Sequence, residues 1–504
     1  MKSAYKIFTL VMAVVCALSS CSNFEDLNTN PNGATSVTSG MLATNLIIPI
    51  MNGAASGAAR TRYLISIETT SWNLDRMYNR LGRWDFIDVA PLRNVEKMIN
   101  SAPEGALKNS YTALGHFVRA RIFFDHTMRM GDIPYSEALQ GESGKIYYPA
   151  YDTQKDVFAG ILNELDEANR LFAEGTKFDG DPFSFGGDPA KWRKLVNALE
   201  LRVLINLYKR ADDTPELKIK ERLQEIATSR PLPESNDDNY MLYYSDTHRF
   251  GFFKPSDEGS LNRFVTTVIV DSLKLYNDRR LFYYASPTLN AIAGGISTSS
   301  NDAYAGVDPL EPLNTADIAN RISRMNQRYT DRAEGEPAYF VGYAEVNFIL
   351  AEAAARGFIP GNAKDYYEKG IRASMKFTAD NTPDNPDFHH NMKITDATIN
   401  DYLKSPNVAF ASTPSEQIHQ IVIQKYFNSF MRDAEYMWFE QRRTGYPAIP
   451  INPATNLNVP NTKMPMRWMY PQEESNYNKA NVEAAIARQF GGTDDNNGVM
   501  WILK

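Results

Sequence analysis

Apolar residues recur at three- and four-residue steps over much of the chain. The clearest case is KWRKLVNALELRVLINLYKR at residues 191–210, in which Trp192, Leu199 and Val203 belong to one stripe. Such a stripe is typical of an amphipathic helix with one face against a core. We therefore expect a helix here, with Trp192 buried.

The predicted helices come in pairs. In AEVNFILAEAAARGFIPGNAKDYYEKGIRASM, residues 344–375, two apolar stripes flank a turn that runs from Gly357 to Gly361. A helix, a glycine turn and a second helix with Ala and Tyr at these offsets resemble a tetratricopeptide unit. Comparable pairs are predicted at 111–130 with 154–172, at 191–210 with 217–227, and at 416–430 with the segment that follows.

Two long insertions interrupt this periodicity, at residues 286–312 and 382–407. Their Gly, Ser, Asn and Pro residues favour loops, and loops held by a rigid scaffold are where binding surfaces are usually carried. The predicted fold class is mostly α: a tetratricopeptide-like scaffold of helical pairs with long irregular loop insertions.

The first residues have the pattern of an export signal. A short basic start precedes an uncharged apolar run over residues 7–18, which is too short for an ordinary membrane span. The sequence LSSC at 18–21 resembles the lipobox of bacterial lipoproteins. This resemblance implies that residues 1–20 are a lipoprotein signal peptide and that Cys21 is the lipid attachment site. An ordinary secretory signal, with Cys21 incidental, is the alternative.

Residues 21–36 are polar and contain an Asn-Pro-Asn-Gly turn signal, so we interpret them as a tether that leads to a domain over 37–504. The domain would begin with 23 uncharged residues, 37–59, which include several polar side chains and a central Pro49. That composition is poor for hydrocarbon and predicts a buried first helix with a break. Membrane attachment is therefore expected through lipid at Cys21.

Composition narrows the classes of ligand. The chain has 53 Lys and Arg against 60 Asp and Glu, a formal net charge of −7, so no basic footprint for nucleic acid is present. It also has 27 Tyr, 26 Phe and 6 Trp, which is consistent with stacking surfaces for a ligand.

Motifs for catalysis are incomplete. The phosphate-loop-like GESGK at 141–145 is followed by Ile146 where Ser or Thr is required, and neither G-x-S-x-G nor H-E-x-x-H occurs. The neighbouring His389 and His390 are more typical of a solvated loop than of a metal site, so we predict no metal, no cofactor and no catalytic residue. Acidic pairs such as Glu345 and Glu352, seven apart on one predicted helix, are usually capping or ion-pair residues.

Five strings in series resemble one family, the SusD/RagB-like outer-membrane lipoproteins. In order along the chain they are GDIPYSEAL (131–139), GDPAKWRKLVNALELRVLINL (187–207), AEVNFILAEA (344–353), WFEQRRTGYP (438–447) and MRWMYPQEESNYNKANVEAA (466–485). Together with the lipobox, the match runs over nearly the whole chain.

The resemblance implies a protein that captures a nutrient without cleaving it. It would be lipid-anchored in the outer membrane, facing the exterior, and would deliver an oligosaccharide or polysaccharide to a SusC-like TonB-dependent transporter. Some members of the family handle peptides, so a peptide ligand is an alternative. A helical glycan-cleaving enzyme and a purely structural partner of the transporter are the other hypotheses.

Sugars are held by exposed aromatic platforms with polar groups at their edges. The stretch SWNLDRMYNRLGRWDF at 71–86 has this mixture and lies near where the family has part of its ligand site. The candidate ligand-binding residues are Trp72, Asn73, Asp75, Arg76, Tyr78, Tyr283 and Tyr304. We expect Trp84 to pack inward instead. Arg442 and Arg443, just before Gly445, are expected to satisfy the last helix carbonyls and neighbouring acids.

Replacement of Cys21 by Ala should leave a folded but unanchored protein, because the predicted anchor is lipid and the fold needs no disulfide. Fractionation of cells that lack the transporter checks this. Recovery of the variant with the outer membrane in such cells would contradict the prediction.

Overall fold

Helices dominate the part of the chain that the structure describes. The structure is a computed structural model, and it describes residues 37–51, 58, 60–66, 81–253, 263–308, 319–454 and 456–504. Ser39–Lys504 form one compact unit. None of the helices within the described ranges is long and apolar enough to cross a membrane.

The elements are numbered in chain order. The helices are α1 (Ser39–Met51), α2 (Asn94–Asn100), α3 (Ala106–Met130), α4 (Gln154–Ala173), α5 (Pro189–Asn206), α6 (Ile219–Ser229), α7 (Thr267–Leu275), α8 (Leu281–Tyr284), α9 (Leu289–Ala293), α10 (Tyr343–Ala355), α11 (Ala363–Asp380), α12 (Pro386–His389), α13 (Asp396–Lys404), α14 (Pro414–Asn428), α15 (Ala434–Thr444), α16 (Gln472–Tyr477) and α17 (Lys479–Phe490). The strands are β1 (Leu64–Ser66), β2 (Tyr240–Leu242), β3 (Arg263–Val265) and β4 (Ala338–Phe340).

The predicted helical pairs are confirmed. Helix α3 packs along α4, α5 against α6, α10 along α11, and α14 against α15. Side-chain caps define several of the starts: Thr153 accepts from the Asp156 N–H at α4, and Asp188 accepts from the Ala190 N–H at α5. Each pair buries the apolar stripe that the sequence shows, and Trp192 is fully buried as expected.

Helix α10 is buried on both faces. Val346 and Ile349 belong to a hydrophobic cluster built with α3, α4 and α5, whereas Phe348 and Ala351 belong to a second cluster built with α7, α11 and α14. A helix that is apolar nearly all round is a helix with neighbours on every side. The two cores therefore share α10 as a common wall.

Short strands close the gaps between the helical layers. β1 pairs antiparallel with β3, with Ile65 opposite Phe264. β2 pairs antiparallel with β4, with Met241 opposite Tyr339. Each strand pair joins two segments that are far apart in sequence. The hydrogen bonds between the strands hold the long connecting segments close to the helices.

The second insertion is more regular than predicted. Residues 396–404 form α13, and Thr395 and Thr398 make a reciprocal capping box at its start. The prediction of an irregular segment over 382–407 is therefore wrong at its C-terminal half. The first helix is confirmed as α1, which includes Pro49 and ends at Met51. The predicted break does not occur within α1, and residues 52–57 and 59 of the same stretch lie outside the described residues.

Buried ion pairs join α10 to its neighbours. Arg443 of α15 contacts Glu352 of α10 and Glu440 at 2.6 Å each, and Lys425 of α14 contacts Glu440 at 2.9 Å. Seven residues before Glu352, Glu345 contacts Arg202 of α5 at 2.5 Å. The expectation that Glu345 and Glu352 make ion pairs is confirmed.

The role expected of Arg442 is confirmed in part. Its guanidinium donates to the carbonyl oxygens of Met466 at 2.6 Å and Met128 at 2.7 Å. These carbonyls belong to other segments and not to the end of its own helix. Helix α15 itself ends at Gly445, whose φ of 81° suits glycine.

Replacement of Arg443 by Met should lower the free energy of unfolding by about 3–5 kcal/mol, because it leaves Glu352 and Glu440 buried with too little positive charge. Urea denaturation provides the measurement. Arg170→Met is the matched control: Arg170 pairs with Glu167 and Glu174 at the surface, where such pairs contribute about 1 kcal/mol or less. Equal losses in the two variants would contradict the prediction.

Candidate functional site

The two predicted insertions meet at a cavity of about 380 Å³. We name it the insertion pocket and define it by its lining side chains, which include Ser286, Leu289, Ile292, Arg324, Pro386 and His390. Its volume lies within the range of small-molecule sites. The expectation that these segments carry a binding surface stays a prediction, and this cavity is the place where they come together.

Backbone contacts fix the walls of the insertion pocket. The Ser286 N–H donates to the carbonyl oxygen of Arg324 at 2.9 Å, next to an antiparallel bridge between Ala285 and Met325. Thr288 caps α9 by accepting from the Ala291 N–H. These bonds use backbone groups and the Thr288 hydroxyl, so the side chains of Leu289 and Ile292 are available to line the cavity.

One buried amide joins the second insertion to the segment that immediately precedes the first. Asn326 Nδ2 lies 3.0 Å from the carbonyl oxygen of Phe282, 3.3 Å from that of Ala285 and 3.2 Å from that of Phe388. Asn326 is fully buried, so its side chain needs these partners. The floor of the insertion pocket is therefore one hydrogen-bonded unit.

One part of the wall of the insertion pocket is aliphatic, and the rest is formed by polar side chains such as Thr298, Gln327 and Asn391. Leu289 and Ile292 are 43% and 52% exposed, and Ile322 and Met325 lie buried behind them. Among the described residues that line the pocket, there is no Phe, Tyr or Trp. An aliphatic wall packs against C–H groups but offers no flat ring for stacking.

Tyr283 and Tyr304 do not form an exposed platform. They are 3% and 1% exposed, and their hydroxyls are used internally: Tyr283 Oη accepts from the Ile394 N–H at 3.0 Å, and Tyr304 Oη donates to the Thr298 carbonyl at 2.8 Å. The prediction that these rings stack on a ligand is wrong for this structure, because both rings are packed beneath the insertion pocket.

The remaining predicted site residues cannot be placed. Trp72, Asn73, Asp75, Arg76, Tyr78 and Cys21 lie outside the described residues. Trp84, at the end of the same stretch, packs 5.0 Å from the Trp468 ring, with the Arg129 guanidinium 4.4 Å from its own ring. The expected inward packing of Trp84 is confirmed.

The histidine pair is buried and not solvated as predicted. His389 and His390 are 3% and 7% exposed, and His389 Nε2 lies 2.9 Å from Asp384 Oδ1. Burial lowers the pKa of His390 to about 4, against a smaller opposing effect of Asp387. His390 is therefore neutral at neutral pH. No cluster of three or more His, Cys, Asp or Glu side chains able to hold a metal occurs within the described part of the chain.

A second cavity of about 300 Å³ has a different character. Its charged wall consists of ion pairs: Arg121 contacts Asp125 at 2.6 Å, and Arg202 contacts Asp433 at 2.8 Å. Glu435, also in this wall, pairs with Arg60. Because these charges neutralise one another, we interpret this cavity as part of the framework.

Comparison with known proteins shows which family has this architecture. Residues 31–471 match the model of the SusD-like family, described as starch-binding and associating with the outer membrane. A SusD homologue from Bacteroides fragilis has 42% sequence identity and a TM-score of 0.88, with 93% of this chain and 100% of that chain covered. A second SusD homologue from the same species has 35% identity and a TM-score of 0.81, with the same coverage.

A more distant structure shares the fold. A chitin-binding SusD homologue from Flavobacterium johnsoniae has 19% identity and a TM-score of 0.70, with 92% of this chain and 97% of that chain covered. The comparison with curated proteins gave no match.

Stability should depend on pH through His390. The unfolded chain binds a proton there near pH 6.5 but the folded chain only near pH 4, so the free energy of unfolding falls as the pH falls through this window. His390→Asn, which suits the left-handed backbone at φ 48°, should remove about 2–3 kcal/mol of that fall.

Urea denaturation at neutral pH and near pH 4.5 provides the measurement. Both proteins retain His126, whose pKa burial lowers to about 3, so the difference between them isolates His390. Parallel pH profiles for the two proteins would contradict the prediction.

Proposed function

Because the chain belongs to the SusD-like family, we propose that it is a surface lipoprotein that captures an oligosaccharide or polysaccharide. It delivers this nutrient to a SusC-like TonB-dependent transporter in the outer membrane. The observation that carries the proposal is the family match over residues 31–471, with 42% identity to a SusD homologue over 93% of the chain.

Anchoring through Cys21 is supported by the sequence around it. The apolar run at 7–18 and the LSSC string at 18–21 have the order of a lipoprotein signal, and the polar residues up to 36 provide a tether. Lipid at Cys21 would hold the helical domain close to the transporter while leaving it free to move. In this proposal the domain faces the cell exterior.

A glycan ligand is supported by the chitin-binding homologue that shares the fold and by the aromatic stretch at 71–86. Within that stretch we propose Trp72 and Tyr78 as stacking surfaces, with Asn73, Asp75 and Arg76 as hydrogen-bonding groups at the edge. The insertion pocket supplies a concave site with an aliphatic patch in its wall. Binding without cleavage is proposed, since the sequence motifs for catalysis are incomplete.

A peptide ligand is the second candidate. The observation that favours it is the aliphatic wall around Leu289 and Ile292, which suits an apolar side chain at least as well as a sugar. Both candidates share the same delivery role.

Incubation of the mature protein with a polysaccharide panel, including starch and chitin, tests capture. We expect retention on at least one polysaccharide with no release of shorter products. Trp72→Ala should weaken that binding by about 1–3 kcal/mol, whereas Tyr477→Ala, which removes a 74% exposed ring elsewhere on the surface, should not.

Product release would indicate an enzyme, and retention of peptides alone would favour the second candidate. Delivery predicts that the protein and the transporter co-purify from detergent. Repeated recovery of each alone under gentle conditions would contradict the delivery role.

A further inference from the structure

Two polar atoms of the insertion pocket are buried without a partner. Arg324 Nε and Ser286 Oγ make no hydrogen bond within the described structure, although both residues line the cavity. Buried polar atoms in folded proteins almost always have a partner, so each exception needs a reason. Here both exceptions belong to residues that line one cavity and that are joined by the backbone hydrogen bond from the Ser286 N–H to the Arg324 carbonyl.

Two fully buried arginines of the same core have acidic partners, unlike Arg324. Arg280 pairs with Asp278 at 2.6 Å, and Arg328 pairs with Glu336 at 2.5 Å. Arg324 has no ion pair within the described residues, and its charged carbon lies 5.8 Å from the Phe264 ring. Arg324 is half-buried, whereas Arg280 and Arg328 are fully buried, and it lacks, among the described residues, the acidic partner that they have.

Electrostatics agree with this geometry. Burial lowers the pKa of Arg324, which means that the folded protein disfavours the charge as the site stands. An anion in the insertion pocket would reverse that effect. Asp387 also lines the pocket, but it is exposed to solvent and makes no ion pair with Arg324.

We propose that Arg324 and Ser286 form a subsite for a carboxylate carried by an acidic oligosaccharide. The inference rests on the proposed function and names the class of glycan. A guanidinium presents N–H donors in a planar fork that matches a carboxylate, and a serine hydroxyl can donate to the same oxygens. The sugar ring that bears the carboxylate packs its C–H groups against Leu289 and Ile292.

The test uses uronate oligosaccharides of three kinds, built from galacturonate, glucuronate or mannuronate, each beside its methyl ester. The ester keeps the sugar but removes the negative charge. Calorimetry on the mature protein should show at least one acid binding about tenfold to a hundredfold more tightly than its ester, the range expected for a charged hydrogen-bonded pair.

Three variants locate the effect. Arg324→Gln should abolish the preference for the acid, and Ser286→Ala should reduce it. Arg93→Gln, which removes an exposed arginine outside the pocket, should leave it unchanged. Thermal unfolding of each variant verifies that the fold is intact.

Four outcomes would overturn the inference. The first is equal binding of every acid and its ester, and the second is an acid preference that survives in Arg324→Gln. The third is tight binding of neutral glycans alone, which leaves the proposed capture function standing. The fourth is binding only of peptides with a free C-terminal carboxylate, which contradicts the glycan function as well.

Discussion

The pairing of buried acids on α10 with arginines from two neighbouring helices is the interaction on which the rest of the fold depends. Glu345 meets Arg202 and Glu352 meets Arg443, so one helix is joined by charge to α5 and α15. The same helix separates the two hydrophobic cores. Such pairs add little when intact but are costly to break, so they specify which helices are neighbours. The two cores are thereby held in one arrangement.

That arrangement gives the insertions a rigid base. The segments around Ser286 and Pro386 leave the helical scaffold at different points of the chain, yet they meet because both rest on the second core. The insertion pocket combines an aliphatic patch at Leu289 and Ile292 with polar side chains, among them Arg324, which has no ion pair within the described residues. Arg280 and Arg328, which are buried in the scaffold, have acidic partners. An arginine in a cavity without such a partner therefore points to a ligand as the missing partner. The same reasoning distinguishes the second cavity, in which Arg202 and Asp433 neutralise one another.

The helical pairs and the buried position of Trp192 were predictable because a 3.6-residue repeat appears directly in the sequence. Tyr283 and Tyr304 were not, since a tyrosine in a loop-like segment gives no sign of whether its ring faces water or lies beneath the segment. The capping box at Thr395 shows that loop-like composition can hide a helix. Arg324 and Ser286 had no sequence signal at all, because their proximity comes from a backbone bridge between segments 38 residues apart. The ligand-binding roles proposed for residues within 71–80 rest on the sequence alone.

Asn326 joins the second insertion to the segment just before the first, through the carbonyl oxygens of Phe388, Phe282 and Ala285. Because every residue type has a backbone carbonyl, this contact does not depend on which side chains the insertions carry. Mutations can therefore exchange the residues that face the cavity while the position of the loops is conserved. One buried amide thus allows the residues that face the cavity to change without any change in the scaffold that presents them.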